Sequence, residues 1–79
     1  MGIEVIFADF NNADEKGRVR LSTNGSLNDI KNKNIELVSG KKVLLDDYDE
    51  LKTFGTLYFS TEENIWVAEI NWDDIQYDK

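Results

Sequence analysis

Four carboxylates fall within five residues at Asp46-Asp47-Tyr48-Asp49-Glu50. Hard divalent cations take clustered oxygens, so a Ca²⁺ or Mg²⁺ loop is the first chemistry this run suggests. The EF-hand spacing is not met: Asp47 and Asp49 fit its opening, but Leu51 stands where the next ligand belongs. The run is therefore expected to be a solvated hairpin loop, without a metal and without a cofactor. Paired carboxylates can also serve general acid–base chemistry when burial raises one of their pKa values. Glu69, Asp73 and Asp74 are the candidates, yet nothing in the sequence buries them. The chain contains no His and no Cys. That removes the usual proton carrier near neutrality and every Ser–His or Cys–His nucleophile pair. A non-enzymatic role is expected.

Two other groups of side chains could bind rather than react. Tyr48, Phe54, Tyr58, Trp72 and Tyr77 could line a ligand groove, because exposed aromatics are common interface anchors. Arg18 and Arg20 share a strand face and could touch phosphate together with Lys16 and the Lys41-Lys42 pair. Net charge opposes that, since sixteen acids stand against nine bases, for −7. The excess is uneven along the chain. Residues 1–42 carry seven bases and six acids, whereas residues 43–79 carry two bases and ten acids. Long-range attraction follows net charge, so nucleic acid is disfavoured and a basic protein partner is favoured. An acidic surface can also imitate a phosphate row, as an inhibitor or immunity protein would when blocking a nucleic-acid-handling enzyme.

These side chains must be positioned by a small fold. Seventy-nine residues make one domain, spanning 1–79, and nine aromatics are too many for a disordered tail. No apolar run approaches the roughly 20 residues of a membrane span. The N-terminus has no basic segment followed by a cleavage site, so a cytoplasmic location is expected. Residues 3–10 are β-branched and aromatic, with Ile3, Val5 and Phe7 alternating; residues 18–23 alternate strictly about Val19 and Leu21. The two segments are expected to pair as an antiparallel hairpin across the polar loop 11–17. Ser26, Leu27, Asp29 and Ile30 suit a short helix or 3-10 turn at 26–32, although Asn24-Gly25 is also a hairpin-turn signal. A brief extended piece at 35–38, a strand at 41–47 and a strand from Gly55 to Ser60 follow.

The last hairpin can be registered from its loop. Four residues, 61–64, separate two alternating segments and pair Ser60 with Ile65, Phe59 with Trp66, Tyr58 with Val67, Leu57 with Ala68 and Thr56 with Glu69. Paired residues share a face. One face then carries Leu57, Phe59, Trp66, Ala68 and Ile70, and the other carries Thr56, Tyr58, Val67 and Glu69. Turn length and hydrophobic pattern agree on this register. Phe7, Phe59 and Trp66 are expected to fill the core, while Tyr58 and Val67 form an exposed patch or a surface under the helix. A bulge at Gly55 would shift the parity of everything before it.

The stretch 37–75 resembles the second half of an SH3-like small barrel. Gly40 precedes the strand Val43-Leu44-Leu45-Asp46, a charged loop follows, and Gly55 opens a second strand. A tight turn then leads to Trp66-Val67-Ala68-Glu69-Ile70, and a final turn falls at Trp72-Asp73-Asp74-Ile75. The resemblance implies a mostly β, five-to-six-strand antiparallel barrel with one short helix or 3-10 turn. The Ala-Leu-Tyr-Asp-Tyr-like start of signalling SH3 domains is missing, as is any Pro after the last Trp, so their Pro-rich peptide groove does not carry over. The expected function is protein–protein interaction. The partner surface would comprise Asp46, Asp47, Tyr48, Asp49, Glu50, Tyr58, Val67, Glu69 and Trp72. Arg18, Arg20, Lys41 and Lys42 would serve only the nucleic-acid alternative.

Overall fold

The structure, a computed structural model, describes residues 2–77. Among these residues six strands form one mixed, curled sheet: β1 (Val5–Phe7), β2 (Val19–Arg20), β3 (Lys42–Asp46), β4 (Leu51–Ser60), β5 (Ile65–Ile70) and β6 (Gln76–Tyr77). Helix α1 (Asn24–Asn32) lies between β2 and β3, and a 3-10 turn (Trp72–Asp74) separates β5 from β6. The strand order is β1-β3-β4-β5-β2, with β6 also pairing with β4. The fold is thus mostly β, a half-barrel. Among the described residues no helix is long and apolar enough to cross a membrane.

The final hairpin has the register that its loop dictates, from Thr56 opposite Glu69 to Ser60 opposite Ile65. Strand β4 runs unbroken through Gly55, which pairs with Val43 on one side and Ile70 on the other. Gly55 is therefore not a bulge. A Cβ there would stand 3.1–3.2 Å from Ile70, Ala68 and Leu45 side-chain atoms, so glycine lets the inner face close up.

The expected hairpin between the first two strands does not form. Strand β1 pairs in parallel with β3 (Ile6 opposite Leu45), while β2 pairs with β5 at the far side of the sheet (Val19 opposite Ala68). Alternation fixes which face a strand buries and leaves its neighbour open. Ile6, Val19 and Leu21 enter the same core from opposite edges, joined there by Val43, Leu45, Leu57 and Ala68. The segment connecting β1 to β2 caps the outer side of β2, since Ala13 bridges Val19 and the Arg20 N–H donates to the Asn12 carbonyl. The core aromatics also differ from expectation. Phe10 is buried, whereas Phe59 is exposed and Phe7 half-buried; of the three expected, Trp66, itself half-buried, packs against the core. Phe59 lies at the tip of the hairpin, beyond the core, and its ring meets Trp66 edge-on at 5.5 Å.

Helix α1 begins two residues before the expected 26–32 span. Thr23 is its N-cap, accepting the Ser26 N–H, and Asn24-Gly25 form the first turn rather than a hairpin. Glycine is required at 25 because a Cβ would lie 2.5 Å from the Phe7 ring. The helix ends in a Schellman motif: Asn34 takes φ +57°, its N–H donates to the Lys31 carbonyl, and the Ile35 N–H donates to that of Ile30. Ile35 is consequently buried at the helix exit, and residues 35–38 are irregular rather than a strand.

Candidate functional site

The expected partner surface divides into two places. The first is the loop joining β3 to β4. Asp47 Oδ1 accepts the N–H groups of Asp49, Glu50 and Leu51, each at 2.9 Å, and Asp46 Oδ1 accepts that of Tyr48 at 2.7 Å. Burial opposes ionisation of Asp47, but these backbone donors outweigh it and hold its pKa below the ordinary value. Two of the four carboxylates therefore build the turn. Asp49 and Glu50 stay exposed at its tip. No group of three or more potential ligands among the described residues is arranged to hold a metal ion.

Tyr48 is also tied inward. Its hydroxyl donates to Asp29 Oδ2 at 2.8 Å and accepts from Lys33 Nζ at 2.9 Å. Its backbone takes φ +59°, a conformation uncommon for an aromatic residue. Burial pushes the Tyr48 hydroxyl pKa up; Lys33 opposes that shift and Asp29 adds to it. The same Asp29 oxygen accepts the Phe7 N–H at 2.8 Å, Ser26 Oγ donates to the Phe7 carbonyl at 2.5 Å, and Lys33 donates to the Val5 carbonyl at 2.9 Å. Either side of Ile6, which pairs with Leu45 of β3, the Glu4 carbonyl accepts from Leu44 and the Ala8 N–H donates to Asp46, so Val5 and Phe7 point their polar groups at the open side. Side chains of α1 and of its C-cap residue Lys33 occupy three of those four groups, the Phe7 N–H and carbonyl and the Val5 carbonyl, and cover an edge that would otherwise be available for strand pairing. Tyr48 belongs to this latch.

The second place is the outer face of β3, β4 and β5. Unbroken parity through Gly55 puts Phe54, Thr56 and Tyr58 on one face, opposite Leu44, Lys42 and Glu69. Phe54 is 51% exposed, Trp72 42% and Tyr58 36%. A shallow concavity of about 610 Å³ is lined by Lys42, Phe54, Thr56, Glu69, Trp72 and Asp73. A neighbouring hollow shares Lys42, Phe54 and Asn71 with it and extends towards Asp74 and Gln76. The Lys42 ammonium sits 4.8 Å above the Phe54 ring centre. Trp72 is held by its indole N–H, which donates to the Gly17 carbonyl at 2.8 Å.

Val67 does not belong to an exposed patch. It is fully buried, flanked on its face by its cross-strand neighbours Tyr58 and Arg20, and offers no contact area. Phe54 and Asp73 join the site instead. Phe54 has the parity of Thr56 and Tyr58, a signal that the sequence carried but that an open question at Gly55 obscured.

The basic residues of the first half are largely neutralised within the fold. Arg20 grips Glu63 through two nitrogens at 2.6 and 2.8 Å and also donates to Asn12 Oδ1 and the Ala13 carbonyl. Arg18 pairs with Asp14 at 2.9 Å and reaches Glu62 at 3.6 Å, where Lys16 also pairs at 2.9 Å. Lys41 pairs with Glu4. Asp14 is partly buried, which opposes its ionisation, but Arg18 N–H groups and the Lys16 N–H hold its pKa below the ordinary value. Of the four residues named for phosphate binding, Lys42 alone lies on the outer concavity, over Phe54.

A third feature is an apolar groove of about 250 Å³ between α1 and the tip of the last hairpin, lined by Leu27, Ile30, Leu37, Phe59 and Trp66 among others. No family model, curated protein or solved structure matches this chain.

Proposed function

We propose that this is a non-enzymatic, cytoplasmic protein-binding module of the SH3-like barrel kind, which engages a basic protein partner with the outer face of β3, β4 and β5. The observation that carries this reading is the grouping of two exposed aromatics, Phe54 and Trp72, with the carboxylates of Glu69 and Asp73 about one concavity, and the exposed ring of Tyr58 further along the same strand face. Aromatics at the centre of a patch supply most of the contact energy of an interface, and surrounding charge sets encounter rate and choice of partner. The internal ion pairs favour a basic partner. They match Lys16, Arg18, Arg20, Lys33 and Lys41 with Asp14, Asp29, Glu4, Glu62 and Glu63. The charge excess is therefore left on other residues, including Asp49, Glu50, Glu69, Asp73 and Asp74. An inhibitor that imitates a phosphate row is the second reading, supported by the same excess. Engagement of Arg18, Arg20 and Lys41 inside the fold weighs against nucleic acid as the partner.

The test is capture from host lysate by immobilised protein at low and high salt. One basic protein retained by the wild type, released by salt and lost with Phe54→Ser is expected. Equal retention by Phe54→Ser and Tyr58→Ser variants that remain folded would remove the outer face from the account. Retention of DNA or RNA at physiological salt would replace the protein partner with nucleic acid.

A further inference from the structure

The outer concavity is one cation short. It contains two aromatic side chains, Phe54 and Trp72, and two carboxylates, Glu69 and Asp73. One cation, Lys42, is present, and it sits over Phe54. Among the described residues, no ion pair engages Glu69 or Asp73, and neither lysine that rests on an aromatic ring rests on Trp72. The bond from the Trp72 indole N–H to Gly17 fixes the ring while leaving it 42% exposed, so ordering it costs little when a ligand arrives. A fixed indole beside two unpaired carboxylates is a receptor for a flat cation.

We propose that this concavity takes the guanidinium of an arginine on the partner protein, stacked on Trp72 and hydrogen-bonded to Glu69 and Asp73. The inference rests on the protein-binding reading above and names the chemistry that reading leaves open. Arginine suits the site better than lysine. Its planar group stacks on a ring and presents several N–H donors to carboxylates at once, whereas an ammonium is a strongly hydrated point charge. Lys42 already covers the Phe54 ring, which leaves Trp72 as the aromatic face of the concavity for the incoming group. The subsite is one anchor within the larger face, so its own affinity is weak and its contribution is to register and selectivity.

The experiment titrates ¹⁵N-labelled protein with the peptide acetyl-Ala-Arg-Ala-Arg-Ala-amide and follows the Trp72 indole N–H resonance. Lys and Gln versions of the peptide serve as comparisons. The Arg peptide is expected to move that resonance in a saturable way and to bind tighter than the Lys version, by at most the about 2–5-fold that a whole exposed cation–π contact supplies. The Gln version should leave it unmoved. Glu69→Gln, an exposed substitution, should weaken the Arg peptide by about 2–5-fold, as loss of one solvated charge pair allows. An unmoved Trp72 resonance at millimolar Arg peptide, or equal responses to Arg and Gln peptides, overturns the subsite. Free arginine binding as tightly as the peptide would also overturn it, by assigning the site to a small metabolite. Failure here while a partner still depends on Phe54 sinks only the guanidinium subsite; loss of the partner's dependence on Phe54 sinks the broader reading.

Discussion

Asp29→Ala is the sharpest perturbation of the scaffold that holds these surfaces. One Asp29 oxygen accepts both the Phe7 N–H and the Tyr48 hydroxyl, each at 2.8 Å, and lies 3.6 Å from Lys33 Nζ. A hydrogen bond to an ionised carboxylate contributes about 1.5–3 kcal/mol, and the part-buried Phe7 N–H gains no protein substitute when it is lost. The Tyr48 hydroxyl is more exposed, and water replaces its acceptor at a cost of about 0.5 kcal/mol. The long, partly exposed Lys33 pair adds at most about 0.5 kcal/mol. Alanine returns about 0.5 kcal/mol through its better helix propensity. The net expectation is a destabilisation of about 2 kcal/mol, which in a domain of this size lowers Tm by about 8–16 °C. Urea denaturation measures the loss, with the exposed neighbour Asn28→Ala as control. Amide exchange at Phe7 should accelerate more than exchange in β4. A loss no larger than that of Asn28→Ala, or an unchanged Phe7 exchange rate, would refute the idea that α1 closes the β1 edge.

Three further outcomes follow from other contacts. Gly25→Ala should destabilise by about 1–3 kcal/mol despite alanine's helix propensity, because its Cβ would overpack the Phe7 ring, and adding Phe7→Leu should recover part of the loss in thermal melts. Asp47 has a folded pKa below its ordinary 3.8, so its contribution is fully present above that value and disappears as pH falls through the folded one. Asp47→Asn should therefore be less stable than wild type at neutral pH and show a shallower decline under acid in pH-dependent urea titrations, with Asp14 keeping some slope in both. Asn34 sits at φ +57° as the helix C′ residue, so Asn34→Gly should hold or raise stability while Asn34→Ala lowers it by about 1 kcal/mol in the same assay.

How far the sequence discloses this structure depends on the range of the interaction. The register from Thr56 to Glu69 is legible because loop length and alternation are both local and agree. The helix is legible in outline, from Leu27 and Ile30, but its first turn is not. Asn24-Gly25 is a strong hairpin signal, and only the Phe7 ring, contributed by a distant strand, makes glycine a helix residue here. The neighbours of β1 and β2 are illegible, since Ile6 and Val19 announce a buried face without announcing which strand lies beside them. The same limit governs the site. Arg20 reads as a free phosphate-binding residue until Glu63, 43 positions away, is seen to hold it. Tyr48 is exposed, as its local pattern suggests, but that pattern does not show that Asp29 and Lys33 take its hydroxyl. Trp72 and Glu69 are legible as candidates because their exposure follows from local pattern.

The protein-binding claim is tested most directly by photo-crosslinking in the cell. A photoreactive phenylalanine at position 54 or 58 should yield one discrete adduct with a basic protein. The same group at Asn28 or Ser39, both exposed and away from the outer concavity, should yield none. Adducts from Asn28 or Ser39 with none from positions 54 and 58, or nucleic acid in place of protein at position 54, would contradict the account.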